Sequence, residues 1–392
     1  RSGRAWSSRF EVTSVTVDGG PATGFVSHGP GSVVVDALDD EAALGLRIEL
    51  EMLVSGLVRL RGTVTNSGAD FALDDLVVCL PVPAHATQIL DFAGRWGMER
   101  LAQSREFTVG THLREGRRGR TGADAATVLH VTESAAGFDR GESWGVHVGW
   151  SGNHTHYAER TFSDQRVIGG GELLLPGEVI LARGDSYPTP WLYGSYGAGL
   201  DAVARRFHDH LRSRPGHPDT RRPVTLNVWE AVYFDHDLDR LRALADRAAE
   251  VGVERFVLDD GWFGSRRHDR SGLGDWVVAP DVWPDGLHPL VDHVRGLGME
   301  FGLWVEPEMV NPDSDLARAH PEWIMAARSS WPLPARHQQV LNLGIPEAYD
   351  HVLGQLLALL AEYDIAYLKW DHNRDLVEAG SQVDDGRPGV HA

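Results

Sequence analysis

An apolar run near the end of the chain closes in three polar side chains that could do covalent chemistry together. Residues 367–374 are typical of a strand, and alternation along a strand would place Lys369, Asp371 and Asn373 on one face. A nearby ammonium group keeps a carboxylate ionised, and an ionised, oriented carboxylate can act as a nucleophile. Asp371 is therefore the first candidate catalytic residue. The alternative is a buried Lys–Asp pair that only terminates a strand.

Three more predicted strands end in polar or aromatic side chains. We expect strands at 225–230, 255–260, 301–306 and 365–370, separated by amphipathic helices, which is typical of parallel β/α units. In a β/α barrel, catalytic groups lie at the carboxyl ends of the strands. Carboxylates accept hydrogen bonds from sugar hydroxyls and indoles cover the apolar face of a pyranose, so this set indicates a carbohydrate site. Its members are Trp229, Glu230, Asp259, Asp260, Trp304, Glu306 and Asp371.

These candidates also have structural interpretations. Adjacent strand residues face opposite ways, so at most one of Asp259 and Asp260 would point inward from a regular strand. The pair could instead form a helix cap or a turn. Trp229 and Trp304 could be core residues of a barrel. The sequence leaves both interpretations open.

Composition limits the class of protein and of partner. The chain has 392 residues, of which 42% are hydrophobic and 24% charged, as in a soluble enzyme with more than one domain. The net charge of −19 would repel nucleic acid and anionic membranes. His-Asp pairs at 208–210 and 236–237 are typical of solvated faces, so we predict no metal and no cofactor.

Cysteine usage bears on the compartment. Cys79 is the only cysteine, so no intramolecular disulfide can form, and no signal peptide or run of membrane-spanning length is present. We therefore expect a cytoplasmic protein. The chain begins at Arg1 rather than at methionine, however, and a preceding segment could carry a signal.

The chain changes character near residue 200. The first half consists of short alternating runs, such as 10–17, separated by Gly, Asn, Asp and Pro, as in a large β-sandwich. A helical spacing of apolar residues follows, and then three prolines. We predict a β-domain over 1–196, a connecting helix and linker over 197–223, and β/α units over 224–392.

Four motifs, in this order, resemble those of the α-galactosidases of glycoside hydrolase family 36. They are Asn227-Val-Trp-Glu230, Asp259-Asp-Gly-Trp-Phe-Gly264, Gly302-Leu-Trp-Val-Glu-Pro-Glu-Met309 and Leu368-Lys-Trp-Asp-His-Asn-Arg374. The first half is similar to the family's N-terminal domain, notably at 94–97 and 151–154, so the resemblance covers nearly the whole chain. It implies an N-terminal β-supersandwich followed by an incomplete (β/α)8 TIM barrel, with about its first four β/α units.

The resemblance also implies a role for each matching residue. Asp371 corresponds to the nucleophile of a retaining double displacement. Asp259 and Asp260 correspond to the acids that hold the galactose hydroxyls around C4 and C6. Trp96 corresponds to a residue that closes a neighbouring subunit's site in the family's oligomers. The other implied sugar contacts are Trp229, Trp304, Arg336, Lys369 and Asn373.

A retaining mechanism also needs a second carboxyl about 5 Å from the nucleophile. In the family this acid follows the nucleophile, and residues 224–392 are fewer than the roughly 250 of a complete barrel. The resemblance therefore predicts a fragment that lacks both termini and the acid/base, and that is barely active alone. Glu306 has a plausible position but does not correspond to the family's acid.

The implied activity is hydrolysis of terminal α-D-galactosyl residues in melibiose- or raffinose-type oligosaccharides. The implied partners are the oligosaccharide and, in the full-length protein, further copies of the chain in a homo-oligomer. Three alternatives stay open. They are galactosyl transfer, as in raffinose and stachyose synthases, an α-N-acetylgalactosaminidase, and a non-catalytic galactoside-binding protein.

Overall fold

The first half of the chain is built almost entirely of strands. The computed structural model describes residues 7–22 and 29–381, and the chain divides into two compact units, one up to Pro218 and one from Asp219. The strands of the first unit are β1 (Glu11–Val17), β2 (Gly20–Pro21), β3 (Gly31–Asp39), β4 (Leu44–Met52), β5 (Val58–Asn66), β6 (Phe71–Leu73), β7 (Val78–Pro81), β8 (Gln88–Arg95), β9 (Met98–Glu106), β10 (Gly110–Gly116), β11 (Val128–Thr132), β12 (Glu142–Val148), β13 (His154–Arg160), β14 (Arg166–Glu172), β15 (Val179–Leu181), β16 (Ser186–Pro188) and β17 (Leu192–Ala198). Helix α1 (Leu200–Ser213) follows them.

Two antiparallel sheets enclose the core of this unit. The larger sheet has the order β2-β1-β3-β4-β5-β17-β12-β11-β8-β9, with β16 also paired to β5, and the smaller has the order β10-β13-β14-β7. Their facing side chains form one apolar cluster, in which Leu129 and Val146 of the larger sheet meet Ala158 and Ile168 of the smaller. The prediction of a mostly-β first domain is confirmed.

Alternation of side chains explains why β5 lies inside the larger sheet. Its residues Leu60, Val64 and Asn66 are buried, while Arg59 and Arg61 point away from the core. These arginines pair across to Glu51 and Glu49 of β4, at 2.6 and 2.5 Å. Such partly exposed pairs contribute little to stability, so β5 is held chiefly by its buried face.

Buried histidines should make the first unit sensitive to acid. Burial lowers the pKa of His130 to about 4, and burial together with the neighbouring His154 lowers the pKa of His156 to about 3. In the unfolded chain these imidazoles protonate below about 6.5, whereas in the folded unit they stay neutral. Stability is therefore lost as the pH falls from about 6.5 towards 4, by about 1.4 kcal/mol for each pH unit over which an imidazole is protonated only in the unfolded chain.

His130→Phe should flatten this pH dependence, because a phenyl ring of similar size has no proton to gain. We expect the urea midpoint of unfolding to fall less between pH 7 and pH 5 in the variant than in the wild type. The exposed residue His217, changed to Phe, serves as the control and should follow the wild type. Parallel profiles for His130→Phe and the wild type would contradict this account.

The second unit consists of β/α repeats. Its strands are β18 (Thr225–Asn227), β19 (Arg255–Leu258), β20 (Glu300–Val305), β21 (Met309–Val310), β22 (Gln339–Val340) and β23 (Tyr367–Trp370). Its helices are α2 (Trp229–Val232), α3 (Leu238–Glu250), α4 (His288–Gly296), α5 (Asp315–Ala319), a 3-10 turn (Pro321–Trp323) and α6 (Pro346–Glu362). No helix in the described part of the chain combines the length and apolarity needed to cross a membrane.

Four parallel strands form the central sheet of this unit, in the order β18-β19-β20-β23. Helix α3 begins at Asp237, whose carboxylate accepts the N–H of Arg240 at 2.7 Å, as expected of an N-cap. Its buried residues Leu241 and Ala245 join the apolar cluster that also contains Phe256 of β19 and Phe301 of β20. The carboxyl ends of all four strands therefore lie along one edge of the sheet.

The first of these strands is shorter than the sequence indicates. Trp229 and Glu230 were expected to end the strand, but the strand stops at Asn227 and both residues lie in the short helix α2. The cause is local, because the side-chain carbonyl of Asn227 accepts the N–H of Trp229 at 2.9 Å. An asparagine that bonds the backbone two residues on makes an Asx turn, which ends a strand.

Candidate active site

Asp259 connects the ends of three of the four parallel strands. Its Oδ2 accepts hydrogen bonds from Asn227 Nδ2 at 2.5 Å and from Lys369 Nζ at 2.6 Å. Its Oδ1 accepts the N–H of Asp260 at 2.8 Å. The Asp259 side chain is 4% exposed, so these donors replace the water that an ionised carboxylate would otherwise need. The carboxylate is thus fixed at the centre of the edge where β18, β19 and β23 end.

Lys369 forms its ion pair with Asp259 and acts on Asp371 through its charge. The ammonium group was expected to hold Asp371 ionised by charge attraction, and its charge does lower the pKa of Asp371. Strand alternation predicted a shared face for the two residues, but Asp371 lies one residue beyond the end of β23, and alternation did not identify the carboxylate that pairs with the lysine.

Asp260 is a buried carboxylate with a buried cation as its partner. Arg266 Nη2 lies 2.7 Å from Asp260 Oδ2, and its Nε donates to Oδ1 at 2.9 Å. The same guanidinium donates to Asn311 Oδ1 at 3.0 Å. Burial raises the pKa of Asp260, and Arg266 offsets part of that rise. The sequence analysis did not identify Arg266 as a site residue. The available signal was general, because a buried, ionised aspartate needs a cation nearby.

The pair Asp259–Asp260 does not obey the alternation of a regular strand, because β19 ends one residue earlier, at Leu258. Gly261 follows with φ of 115°, a backbone conformation that favours glycine, and a Cβ there would meet Phe234 Cδ1 at 3.2 Å. The two carboxylates therefore lie beyond the strand, where the backbone bends, and both are buried.

Asp371 immediately follows β23 and is held by three N–H donors. Its Oδ2 accepts from Trp304 Nε1 at 3.0 Å and Asn373 Nδ2 at 2.8 Å, and its Oδ1 accepts from the backbone N–H of His372 at 2.9 Å. Burial by itself would raise the pKa of Asp371, but these hydrogen bonds and the charge of Lys369 lower it. The result is an ionised, half-buried carboxylate with a defined orientation.

Trp304 belongs to the core and to the site. It is buried, its ring stacks on Phe263 at 6.1 Å, and its carbonyl accepts the indole N–H of Trp262 at 2.9 Å. Its own indole N–H is the donor to Asp371 Oδ2. The core interpretation and the site interpretation of Trp304 are therefore compatible. Rigid packing of the indole fixes the carboxylate it bonds.

Trp229 and Arg336 border the group around Asp371 and Asp259. Trp229 is partly exposed and packs edge-on against Tyr233 and Phe234, each at 5.1 Å between ring centroids. Arg336 is exposed and donates to Asn373 Oδ1 at 3.0 Å. Its φ of 53° is left-handed, which costs a non-glycine residue about 1–2 kcal/mol.

Glu306 supports the segment that carries Asp371. It is 1% exposed, and it accepts the backbone N–H of Asn373 at 2.5 Å and Gln338 Nε2 at 3.0 Å. Burial raises the pKa of Glu306 to about 7, with a further rise from the negative charge of Asp371. The sequence indicated Glu306 as a strand-end carboxylate, but not that it holds the backbone two residues after Asp371.

The titration of Glu306 should make the second unit less stable as the pH rises. The pKa of its carboxyl is about 7 in the folded state and 4.5 when unperturbed, so its contribution to stability is complete below pH 4.5 and is lost as the pH rises through 7. Glu306→Gln removes this contribution to the pH dependence. Gln338 Oε1 is buried and has no hydrogen-bond partner within residues 7–22 and 29–381, and it can then accept from the new amide.

We therefore expect the wild type to lose more free energy of unfolding than Glu306→Gln does when the pH is raised from 5 to 8. Urea unfolding at both pH values measures it. The exposed residue Glu347, changed to Gln, is the control and should lose as much as the wild type does. A constant difference between Glu306→Gln and the wild type would show that Glu306 does not titrate in this range.

Trp96 and His236 were also singled out from the sequence. Trp96 belongs to the first unit, at the turn between β8 and β9, and is 86% exposed. His236 was expected on a solvated face, but it is buried, and its ring packs edge-on against Trp283 at 5.9 Å. Asp237 beside it caps α3. The expectation of a solvated His-Asp pair was therefore wrong at His236.

Family models match nearly the whole chain. Residues 1–182 match the glycosyl hydrolase family 36 N-terminal domain, and residues 186–392 match the melibiase family. The two matched ranges meet close to the end of the β-domain, near β16 and β17.

Individual relatives agree with these models. An alpha-galactosidase of Escherichia coli is 41% identical over 91% of this chain and 51% of the relative. Alpha-galactosidase AgaA of Geobacillus stearothermophilus is 33% identical over 94% of this chain and 51% of the relative. A crystal structure of an AgaA variant with raffinose superposes with a TM-score of 0.88 at 29% identity, covering 97% of this chain and 55% of that one. This chain spans about half the length of the relatives it matches. The chain belongs to glycoside hydrolase family 36.

Proposed function

We propose that the protein is a retaining α-galactosidase that hydrolyses terminal α-D-galactosyl residues of α-galactosides. The observation that carries the proposal is the carboxylate of Asp371, which follows a parallel strand and is oriented by Trp304, Asn373 and the N–H of His372. Hydrogen bonds to the charged form and a nearby ammonium keep it ionised at neutral pH. An ionised carboxylate held in this way is suited to attack an anomeric carbon.

The two oxygens of Asp371 are not equivalent. Oδ2 accepts two side-chain hydrogen bonds, whereas Oδ1 accepts one from the backbone. We assign the attack to Oδ1, which has more free lone-pair density. In the first step the bond from Oδ1 to the anomeric carbon forms, the glycosidic C–O bond breaks, and the leaving oxygen takes a proton from a general acid. In the second step water attacks the same carbon, gives its proton to that group and releases Asp371.

The general acid is proposed to lie in the part of the relatives that this chain does not span. Glu306 is a poor candidate, because it is buried and both its oxygens already accept hydrogen bonds. We therefore give Glu306 a supporting role and not a share in proton transfer. By this account residues 1–392 alone turn over substrate only slowly.

The parallel sheet is proposed to be the first half of an eight-unit barrel. Apolar side chains on the outer parts of α6 and β23 support this, because Leu357 is 54% exposed and Trp370 52% exposed. Such exposure is expected where further β/α units would pack. The edge of β23 opposite β20 has no partner strand among the described residues.

Sugar recognition is proposed to rest on the group around Asp259. Its carboxylate and that of Asp260 would accept hydrogen bonds from the galactose hydroxyls around C4 and C6, and Lys369 would donate to them. Trp229, which is partly exposed, would meet the apolar face of the ring, and Trp304 would line the site through its hydrogen bond to Asp371. Arg336 and Asn373 would complete the contacts. Relatives solved with raffinose and with stachyose support raffinose-type substrates.

Trp96 is proposed to contact a neighbouring subunit in a homo-oligomer. An indole that is 86% exposed at a hairpin tip supports this, since exposed aromatic side chains are common at interfaces.

The test is the stereochemistry of the first product. The full-length protein is incubated with p-nitrophenyl α-D-galactopyranoside and followed by proton NMR. Retention predicts α-galactose as the first anomer, before mutarotation. Appearance of β-galactose first would contradict the mechanism. Formation of longer oligosaccharides when an acceptor sugar is added would favour galactosyl transfer. Turnover of only the N-acetylgalactosamine glycoside would favour an α-N-acetylgalactosaminidase. Binding without turnover would favour a galactoside-binding protein.

A further inference from the structure

The first unit contains a cavity that the proposed catalysis does not use. It has a volume of about 380 Å³. It lies between β5, β12 and β17 of the larger sheet and β7 and β14 of the smaller, with α1 at its border. Its lining includes the side chains of Met52, Leu80, Trp144, Tyr196 and Arg206. The volume falls within the range of small-molecule sites, which is roughly 300–1,000 Å³.

Two aromatic side chains form one wall of this cavity. Trp144 of β12 and Tyr196 of β17 are directly opposite each other in the antiparallel ladder, and their rings lie 5.6 Å apart at 37°. Tyr196 is 45% exposed. Aromatic faces exposed side by side at a cavity mouth are costly to leave in water, and they can cover the C–H face of a pyranose.

A polar cluster borders this aromatic wall. His85 Nε2 lies 2.6 Å from Glu142 Oε2, and the hydroxyl of Tyr196 donates to Glu142 Oε1. The backbone N–H of Glu142 donates to Glu133 Oε2 at 2.8 Å. The His85 ring meets Trp144 edge-on at 5.3 Å. The cluster therefore holds a carboxylate, an imidazole and a phenol in fixed positions next to the indole.

Arg206 adds donors. Its Nε donates to the carbonyl of Tyr196 at 2.8 Å, which anchors the guanidinium at the cavity. Neither of its Nη atoms has a hydrogen-bond or ion-pair partner among the described residues. Up to four N–H bonds of an anchored guanidinium are thus available to a ligand.

We propose that this cavity is a second, non-catalytic saccharide site that binds one pyranose residue of a neutral oligosaccharide. Sugar hydroxyls both donate and accept, which matches the guanidinium of Arg206 in the lining and the carboxylate of Glu142 that is bonded to Tyr196 beside it. The C–H face of the ring matches Trp144 and Tyr196. A strongly anionic ligand fits less well, because Glu133 and Glu142 lie beside the same wall.

A divalent cation is the competing occupant. One ligand atom from each of His85, Glu133 and Glu142 can lie within 4.8 Å of the others, as in a metal site. We favour the saccharide because a metal would leave the aromatic wall of Trp144 and Tyr196 unexplained.

The experiment uses the full-length protein carrying Asp371→Asn, so that substrate is not consumed, and labelled with 5-fluorotryptophan. The Trp144 signal in the fluorine NMR spectrum is assigned from Trp144→Phe. Methyl α-D-galactopyranoside and raffinose are titrated to roughly 50 mM, which would saturate a site with a Kd of about 1 mM. We expect the Trp144 signal to shift saturably with at least one of these sugars.

Variants locate the binding. Arg206→Ala and Glu142→Gln should each raise the Kd read at Trp144 by roughly tenfold. Phe162→Ala, at a residue that is 96% exposed and does not line the cavity, is the matched control and should leave the Kd unchanged. In the background with Asp371 restored, Arg206→Ala should leave turnover of the aryl galactoside unchanged.

Three outcomes would overturn the proposal. In the first, no sugar shifts the Trp144 signal although other indole signals shift. In the second, only Zn²⁺ shifts the Trp144 signal. In the third, the sugars shift it equally in the wild type, Arg206→Ala and Glu142→Gln. Urea unfolding of each variant identifies a folding defect, and Glu142→Gln, a conservative change at a partly exposed residue, carries the test if Arg206→Ala is unstable. The result does not depend on the catalytic role of Asp371.

Discussion

Replacing Asp371 with alanine is expected to lower kcat/KM of the full-length protein for p-nitrophenyl α-D-galactopyranoside by at least about 10⁴-fold. The variant lacks the atom that would bond to the anomeric carbon, and no other described carboxylate accepts the indole N–H of Trp304 and the side-chain amide of Asn373. Steady-state kinetics measure the loss. Galactose binding by the variant should change far less than turnover does, because Asp259 and Lys369 remain.

A small external nucleophile distinguishes loss of the nucleophile from loss of the fold. Azide is expected to restore part of the turnover of Asp371→Ala and to give galactosyl azide of inverted configuration, because it can occupy the space of the missing carboxylate. Asp285→Ala, at an exposed aspartate of the same unit, is the control and should retain wild-type activity. Near-normal kcat/KM in Asp371→Ala would refute the assignment.

Asp259→Asn is expected to lower kcat/KM by roughly 10²–10³-fold, mostly through substrate recognition. The carboxylate accepts from Lys369 Nζ at 2.6 Å and from Asn227 Nδ2 at 2.5 Å, so an amide there would oppose one of these donors with a donor of its own. Lys369 is 35% exposed, and water can solvate its ammonium group. We therefore expect a smaller effect on stability than on catalysis.

A double variant tests whether Asp259 and Lys369 act as one unit. Lys369→Met should itself reduce kcat/KM. The double variant Asp259→Asn/Lys369→Met should lose less transition-state stabilisation than the sum of the two single losses, because each single variant removes the same ion pair. Strict additivity would mean that the pair does not act jointly on the substrate. An unchanged kcat/KM in Asp259→Asn would remove Asp259 from the site.

Strand periodicity placed candidate residues next to strand ends but could not identify partners that depend on the order of the strands. It placed Lys369, Asp371 and Asn373 on one face, and the structure shows Asn373 bonded to Asp371. It could not show that Lys369 reaches Asp259, because that contact crosses from β23 over β20 to the end of β19. Alternation determines a face, whereas a partner on another strand is set by sheet order.

Turns and buried partners were the other features that periodicity does not encode. The strand that should have ended at Glu230 stops at Asn227, and the asparagine itself was the available signal. Arg266 and Gln338 lie in segments between the strands of the parallel sheet, and no spacing rule connects them to Asp260 and Glu306. Their roles follow from the burial of two carboxylates, which requires donors nearby.

The β-domain shows the same division between local and non-local information. Its mostly-β character was predicted from alternating runs and turn residues, and it is confirmed. The pairing of β5 with β16 and β17, more than 120 residues further along the chain, was not predictable from the same pattern. Loop closure over such distances leaves no periodic signal in the sequence.

Covalent trapping tests the central claim most directly. The full-length protein is treated with an activated 2-deoxy-2-fluorogalactoside, which slows both steps but leaves the glycosyl-enzyme long-lived, and is then digested and analysed by peptide mass spectrometry. The account predicts one fluorogalactosyl group on the peptide that contains Asp371, located on that carboxylate by fragmentation. A label on another carboxylate, such as Asp260 or Glu306, or no label on an active enzyme, would contradict it.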